Sequence, residues 1–318
     1  MKIVILDAYT SNPGDLSWEK FEALGEFVAY DYTAPEETIE RMADADAVIT
    51  NKTVITREAI ESSKNLKYIG VLATGFNIVD VECAKEKNIP VCNVPTYSTN
   101  AVAQLTFALI TEIYNQVALH SQAVHSGEWA SSKNFCFWKT PLICLENKTI
   151  GIIGFGKIGN AVAKIAEAYS MNVLCYVPRE KPQPDIKNFR FVSLDELLEK
   201  SDIVSLHCPL TPETKGMVNS EFIGKMKKSA ILINTSRGGA IDEDALATAL
   251  NEGRIYAAGV DVLSTEPPKK DNPLLSCENC FITPHVAWAG FETRVKLIEI
   301  VYDNLKSFID GKTVNNVW

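Results

Sequence analysis

At about 150 residues per domain, 318 residues allow roughly two domains, each large enough to bury a core without disulfide or metal staples. The hydrophobic fraction is 46%, the charged fraction is 22%, and glycine (17) with proline (14) makes about a tenth of the chain, which excludes disordered, collagen-like and low-complexity classes. The 31 Lys+Arg against 40 Asp+Glu leave a net charge of −9, which disfavours a protein that tracks nucleic-acid phosphates but leaves room for a local basic pocket.

Met1-Lys2 leads into Ile3-Val4-Ile5-Leu6-Asp7, too short an apolar run for a signal peptide and followed by no cleavage site, so it reads as a first strand. No run reaches the roughly 18 apolar residues of a membrane span, and the protein is expected to be cytoplasmic. Further strands are expected at 47–50, 68–73 and 91–94, with helical patterns at 18–24, 57–62 and 81–87 between them. This alternation of β-rich runs with amphipathic stretches predicts parallel sheets covered by helices on both faces. A long helix is predicted from after Ser98 toward Gln122, a candidate bridge between two domains. Beyond a loop rich in aromatics (Phe135, Phe137, Trp138) a second, more regular series sets in, with six strands at 149–153, 173–177, 203–207, 230–234, 257–262 and 281–283. Ser193 and Glu196 form a capping box, with Val192 and Leu197 as its hydrophobic staple. The last helical pattern, 291–309, has no partner strand in the second series and is expected to pack back on the first domain.

Eight cysteines lie scattered in a chain with no export signal, which predicts reduced thiols rather than a disulfide framework. Cys277-x-x-Cys280 with His285 nearby lacks a second CxxC and falls in a polar loop, so no metal is expected.

Gly154-Phe155-Gly156-Lys157-Ile158-Gly159 is a GxGxxG directly after an apolar strand and directly before a helical run. Glycines there permit a tight turn, close approach of backbone to a pyrophosphate and close helix-to-strand packing, while the helix N-terminus offers N–H groups and partial positive charge. The acidic residue that follows about 20 positions later, for the adenosine ribose, is replaced by Val177 in Tyr176-Val177-Pro178-Arg179-Glu180. Two readings stand: Arg179 pairs with a ribose 2′-phosphate, the NADP arrangement, or Arg179 is a solvated surface residue and Glu180 takes the ribose.

Three polar residues fall just after strands of the second series, where ligands bind in open α/β sheets. They are Arg237, Glu266 and His285. An imidazole exchanges protons near neutral pH, and a carboxylate beside it would favour the protonated ring and fix its orientation. Arginine stays protonated, and its planar fork suits a substrate carboxylate. Singly, each has a plain structural reading as a satisfied histidine, a helix-proximal glutamate and a surface ion-pair arginine.

Several motifs in order resemble the D-isomer-specific 2-hydroxyacid dehydrogenases over nearly the whole chain: the GxGxxG, His207-Cys208-Pro209-Leu210-Thr211 with Thr214, Asn234-Thr235-Ser236-Arg237-Gly238, Gly259-Val260-Asp261-Val262 leading to Glu266-Pro267, and Thr283-Pro284-His285. The resemblance implies two Rossmann-like, doubly wound parallel-sheet α/β domains, one flavodoxin-like and one NAD(P)-binding, with a cleft between them. Residues 1–98 completed by 288–318 would be the substrate domain and 99–287 the cofactor domain. Arg237, Glu266 and His285 would be the substrate-binding arginine, the carboxylate partner and the acid/base. Cofactor contacts are implied for Gly154, Gly156, Lys157, Ile158, Gly159, Val177, Arg179, Cys208, Pro209, Thr214, Thr235, Ser236, Arg237, Asp261 and His285. Leu72-Ala73-Thr74-Gly75-Phe76-Asn77 resembles the family loop whose amides bind the substrate carboxylate, which assigns Ala73, Thr74 and Gly75 together with Arg237 to the substrate. The glycerate dehydrogenase or hydroxypyruvate reductase branch is the most similar, on Asn134 to Trp138, Tyr97 to Gln104 and Trp288. A homodimer acting on a small 2-keto or 2-hydroxy acid, with NAD or NADP and a lean to NADP from Val177 and Arg179, is therefore expected. The aromatic loop is either a hydrophobic plug between helix and sheet, in a dimer contact, or a route by which Trp138 reaches an active site; Tyr97 and Trp288 face the same choice. Rival expectations are a dehydrogenase for phosphohydroxypyruvate or a branched keto acid, and a nucleotide-sensing corepressor-like scaffold.

Overall fold

The computed structural model describes residues 1–179 and 181–318, and the chain divides into two compact units, Met1–Ser98 with Ala289–Trp318, and Thr99–Trp288. In the first, β1 (Lys2–Ile5), α1 (Glu19–Glu22), β2 (Glu26–Ala29), α2 (Thr38–Met42), β3 (Ala47–Thr50), α3 (Arg57–Ser62), β4 (Tyr68–Val71), α4 (Val81–Glu86) and β5 (Val91–Cys92) alternate along the chain. All pairings are parallel, in the order β2-β1-β3-β4-β5, the flavodoxin-like winding.

In the second unit, α5 (Thr99–Asn115) and α6 (Val117–His125) precede β6 (Thr149–Ile153), α7 (Lys157–Ala168), β7 (Asn172–Tyr176), β8 (Phe189–Phe191), α8 (Leu194–Lys200), β9 (Ile203–Leu206), α9 (Ser220–Gly224), β10 (Ile231–Asn234), α10 (Glu243–Asn251), β11 (Ala257–Val260) and β12 (Cys280–Ile282). Its parallel sheet runs β12-β11-β10-β9-β6-β7-β8. Chain order reverses between β6 and β9, which opens a crevice at the carboxyl ends of those strands. β9, β10 and β11 are buried at every position, as strands covered on both faces must be, which is why they read as continuous apolar runs rather than alternating ones. On one face Val204, Leu206 and Leu232 pack with Leu197, Phe222 and Leu246 from α8, α9 and α10. On the other, Ile150, Ile203 and Ile231 pack with Ile110 of α5 and Val162 of α7.

α11 (Phe291–Ile309) returns to the first unit. Leu297, Val301 and Leu305, four apart and at most 1% exposed, form its buried stripe. Phe308 packs on Tyr68 of β4 at 5.1 Å between ring centroids, and Asn304 donates to the carbonyl of Asn93 at 3.0 Å.

Three expectations are corrected. The second sheet has seven strands among the described residues rather than six, because the edge strand β8, three residues paired to β7 alone, escapes recognition; β2, at an edge of the first sheet, escapes in the same way. The helix expected to reach Gln122 breaks at Gln116, whose φ of 42° and ψ of 53° are left-handed, and both resulting helices lie within the second unit instead of bridging two domains. The capping box is half made. Ser193 accepts from the Glu196 amide at 3.2 Å, but the Glu196 carboxylate turns to Arg190 and Lys200. Among the described residues no helix is long and apolar enough to cross a membrane.

Candidate active site

The three glycines of the GxGxxG differ in what surrounds them. Gly154 has φ +97°, and a Cβ there would lie 2.7 Å from the His207 carbonyl oxygen. At Gly159 a Cβ would lie 2.3 Å from the Gly154 carbonyl oxygen, so this glycine lets α7 close onto the turn. At Gly156 a Cβ would meet nothing within 4 Å. This glycine therefore serves no packing need, and it caps α7, whose first amide groups have no acceptor inside the helix. An open approach to a helix N-terminus with the first and third glycines used for the turn fits a dinucleotide pyrophosphate. Lys157 and Ile158 form the first turn of that helix.

At the end of β7, Val177 is half-buried against the α5 and α7 face, and Arg179 is exposed. Glu180, the alternative ribose partner, lies outside the described residues. The sequence reading missed Lys181, whose Nζ donates to the Phe155 carbonyl at 2.6 Å. That bond places a cation against the glycine turn, and proximity along the chain to Arg179 was its one available signal.

Across the crevice, His207 follows β9. Its Nε2 lies 2.8 Å from the Ser205 hydroxyl, its buried Nδ1 has no partner among the described residues, and burial pushes its pKa down to about 4. The ring is neutral near pH 7. Burial raises the pKa of the neighbouring Cys208 thiol. The Thr214 hydroxyl donates to the Pro209 carbonyl and accepts from the Thr211 amide, both at 2.7 Å, so it closes the Cys208 to Thr214 loop on itself.

After β10, Asn234 organises the turn that presents Arg237. It is fully buried, its Oδ1 accepts from the amide and hydroxyl of Ser236 at 3.0 and 2.8 Å, and its Nδ2 donates to the Arg237 carbonyl at 3.0 Å. Thr235 is tied to α5 through a 3.0 Å hydroxyl contact with Thr106. Arg237 is exposed, and its Nη1 donates to the Ser236 carbonyl at 2.8 Å. A Cβ on Gly238 would fall 1.9 Å from the Leu263 carbonyl carbon. Only glycine lets this turn touch the loop that carries Glu266.

Glu266 and His285, 19 residues apart in sequence, meet at 2.6 Å between Oε2 and Nδ1, with side-chain exposures of 35% and 26%. A carboxylate accepts at Nδ1, so that nitrogen carries the proton and Nε2 faces the exchange. His285 holds φ +53°, an uncommon region for a residue with a Cβ. Asp261 supplies the constraint that keeps it there. Its carbonyl accepts from the His285 amide at 2.8 Å, its Oδ1 accepts from the Thr283 hydroxyl and the Val286 amide at 2.6 and 2.9 Å, and its Oδ2 accepts from the Ala287 amide at 2.9 Å. Both carboxylate oxygens of Asp261, expected at the cofactor, are thus engaged by the loop that carries His285.

In the first unit the carbonyls of Leu72, Ala73 and Thr74 accept from Asn51 Nδ2, the Val94 amide and Asn93 Nδ2 at 2.9, 3.0 and 2.7 Å. With its carbonyls engaged within the unit, the loop Ala73 to Gly75 offers its amides. Trp138 is 65% and Phe135 90% exposed, so neither ring is buried between helix and sheet within its own chain. Burial raises the Cys277 thiol and pushes Cys280 to about 12. No group of three His, Cys, Asp or Glu suited to a metal occurs among the described residues.

A family model described as the NAD binding domain of D-isomer specific 2-hydroxyacid dehydrogenases matches residues 107–287. The chain belongs to that family. It is 53% identical to a hydroxypyruvate reductase of Blautia hydrogenotrophica over 320 aligned residues, covering 100% of this chain and 99% of that one. It is 39% identical to a glycerate dehydrogenase of Methylorubrum extorquens, covering 99% and 98%. Among solved structures it is similar to an acyclic imino acid reductase in complex with NADPH and D-Arg, with a TM-score of 0.84, 34% identity and full coverage of both chains. The family makes the chain an oxidoreductase that uses a nicotinamide cofactor.

Proposed function

We propose that the chain reduces hydroxypyruvate to D-glycerate, with glyoxylate as a second substrate, and that Arg237, Glu266 and His285 carry the reaction. The observation that supports this most is the 2.6 Å contact of Glu266 with His285 Nδ1, which leaves Nε2 as the proton-exchanging atom. The second unit is the cofactor domain in this reading and the first the substrate domain. Gly154, Gly156, Gly159 and the first turn of α7, with Lys157 and Ile158, hold the pyrophosphate. Cys208, Pro209, Thr214, Thr235 and Ser236 line the cofactor's path along the strand ends. When bound, the reduced nicotinamide supplies the hydride that goes to the carbonyl carbon. His285 gives its Nε2 proton to the carbonyl oxygen, and Glu266 holds the ring and stabilises its protonated form. Arg237 grips the carboxylate through its planar fork, and the amides of Ala73, Thr74 and Gly75 take the same group. Asp261 fixes the loop that presents His285.

The cofactor lean is to NADP. A carboxylate at the end of β7 would repel a 2′-phosphate, and Val177 does not. Lys181 sits against the glycine turn, and we assign it together with the exposed Arg179 to that phosphate, each charge-assisted hydrogen bond being worth about 1.5–3 kcal/mol. In the assembly we propose, two copies pair through the segment after α5, and Trp138 contributes to the partner's active site.

The test is a panel of hydroxypyruvate, glyoxylate, phosphohydroxypyruvate and a branched 2-keto acid, each with NADH and NADPH. Highest kcat/KM for hydroxypyruvate, with NADPH used at least as well as NADH, is expected. A clear preference for phosphohydroxypyruvate or the branched acid would overturn the substrate reading, and no turnover with any of them would favour a nucleotide-sensing scaffold. NADH preferred by more than about tenfold, some 1.4 kcal/mol, or NADPH use undiminished in Arg179→Ala, would overturn the cofactor lean.

A further inference from the structure

We infer that Glu243, at the start of α10, is a positioning residue that holds Glu266 against His285 by stapling both ends of the loop that carries it. The inference rests on the proposed roles of Glu266 and His285. The loop from Ser264 to Asp271 is exposed along its length, so packing gives it little shape. Hydrogen bonds from Glu243 tie it down at both ends. Glu243 Oε1 accepts from the Ser264 amide at 2.7 Å, while its Oε2 accepts from the Ser264 hydroxyl at 2.8 Å and from Asn272 Nδ2 at 2.9 Å. Glu243 itself is fixed by α10, whose N-cap Asp242 accepts from the Ala245 amide at 3.0 Å.

The staple and the site share neighbouring amides. The Ser264 N–H goes to Glu243, and the preceding N–H, of Leu263, goes to Glu266 Oε1 at 3.2 Å. Loss of the Glu243 carboxylate frees the Ser264 amide to rotate toward water, and the Leu263 amide, in the adjoining peptide plane and linked to it only through the soft φ and ψ of Leu263, is no longer held from that side. Glu266 then loses the donor that sets its carboxylate plane, and its other oxygen drifts from His285 Nδ1. A misplacement of 1 Å far from the reacting atoms can cost on the order of 10²-fold in rate, so a partial loosening is expected to lower kcat by about tenfold. Glutamine at 243 keeps one acceptor oxygen but turns an NH₂ toward Ser264 or Asn272, where a donor already points, and is expected to fall between glutamate and alanine.

The experiment is a double-mutant cycle in the full-length protein, with hydroxypyruvate as substrate and NADH and NADPH as cofactors. Thermal midpoint and cofactor affinity, read by fluorescence titration without substrate, are followed alongside. Glu243→Ala should lower kcat about tenfold with cofactor affinity unchanged, Glu243→Gln should lower it less, and in the Glu266→Gln background Glu243→Ala should cost almost nothing further. An equal loss in both backgrounds, or no loss in the single variant, overturns the inference. If Glu266→Gln alone retains full kcat, the catalytic reading falls and takes this inference with it; if Glu266→Gln is impaired yet Glu243→Ala is additive with it, the inference alone falls. Should Glu243→Ala fold poorly, Asn272→Ala removes one arm of the staple and is expected to show the same coupling at smaller size.

Discussion

Each charged residue assigned to the reaction is presented by a neighbour whose own polar atoms are engaged, buried in the case of Asn234 and Asp261 and half-buried in the case of Glu243. Asn234 shapes the turn under Arg237, Asp261 spends its carboxylate on the loop under His285, and Glu243 ties the loop under Glu266. Removing the proton donor should therefore leave the scaffold intact. His285→Ala is expected to keep the thermal midpoint and cofactor affinity and to lose about 10²–10⁴-fold in kcat, while Arg237→Lys should raise KM for the keto acid as well as lower kcat, because an ammonium does not reproduce the guanidinium fork. Steady-state kinetics with both substrates varied separates the two outcomes. A different histidine sets a pH effect on stability. His207 is held neutral in the fold, with its pKa pushed to about 4 by burial, whereas the unfolded chain takes up a proton near the ordinary 6.5. The unfolded state then binds more protons between those values, so stability falls as pH drops from about 6.5 toward 4. Urea unfolding at pH 7 and pH 5 should show that loss, and His207→Asn should flatten it.

At the scale of elements, the turn between β6 and α7 assigns separate duties to three identical residues. Gly159→Ala drives a Cβ to within 2.3 Å of the Gly154 carbonyl oxygen, so α7 must lift from the turn, and overpacking of this kind costs about 1–3 kcal/mol. Gly156→Ala meets open space at a φ of −87° that alanine tolerates. The expected pattern is a lowered thermal midpoint for Gly159→Ala, and for Gly156→Ala an unchanged midpoint with weakened cofactor binding, because the new methyl stands where a pyrophosphate would approach. A calorimetric scan of each variant, paired with NADH and NADPH titrations, checks it. Equal midpoint losses in both would remove the distinction.

Over the whole molecule, the parts that read clearly from sequence are those whose signal is local. β9, β10 and β11 announce themselves as unbroken apolar runs because both faces are covered, and the glycine turn is recognisable because strand, turn and helix are contiguous. What escaped depends on partners distant in the chain or on pairing along one edge: β2 and β8 are short edge strands, Gln116 breaks α5 from α6 with no glycine or proline to mark the turn, and the ties from Asp261 and Glu243 join residues 21 or more positions apart. The assembly is the remaining question at this scale. If the exposed Trp138 serves a partner copy, mixing inactive His285→Ala protein with an inactive Trp138→Ala variant should restore activity, since a hybrid pair holds one site built from intact residues. Absence of complementation, with subunit exchange verified by mass, would leave Trp138 a surface contact.

The return of α11 to the first unit also sets a timetable for biosynthesis. Tyr68 and the strand that bears it leave the ribosome long before Phe308, which covers them, and the whole of the second unit is made in between. At about 5–20 residues per second, the first sheet waits on the order of ten seconds or more for its closing helix, while the intervening unit, continuous in sequence, has all its strands by residue 282. The chain thus carries an incompletely covered sheet through most of its synthesis. A nascent chain stalled before residue 291 should present that sheet, and not the glycine turn, to chaperones.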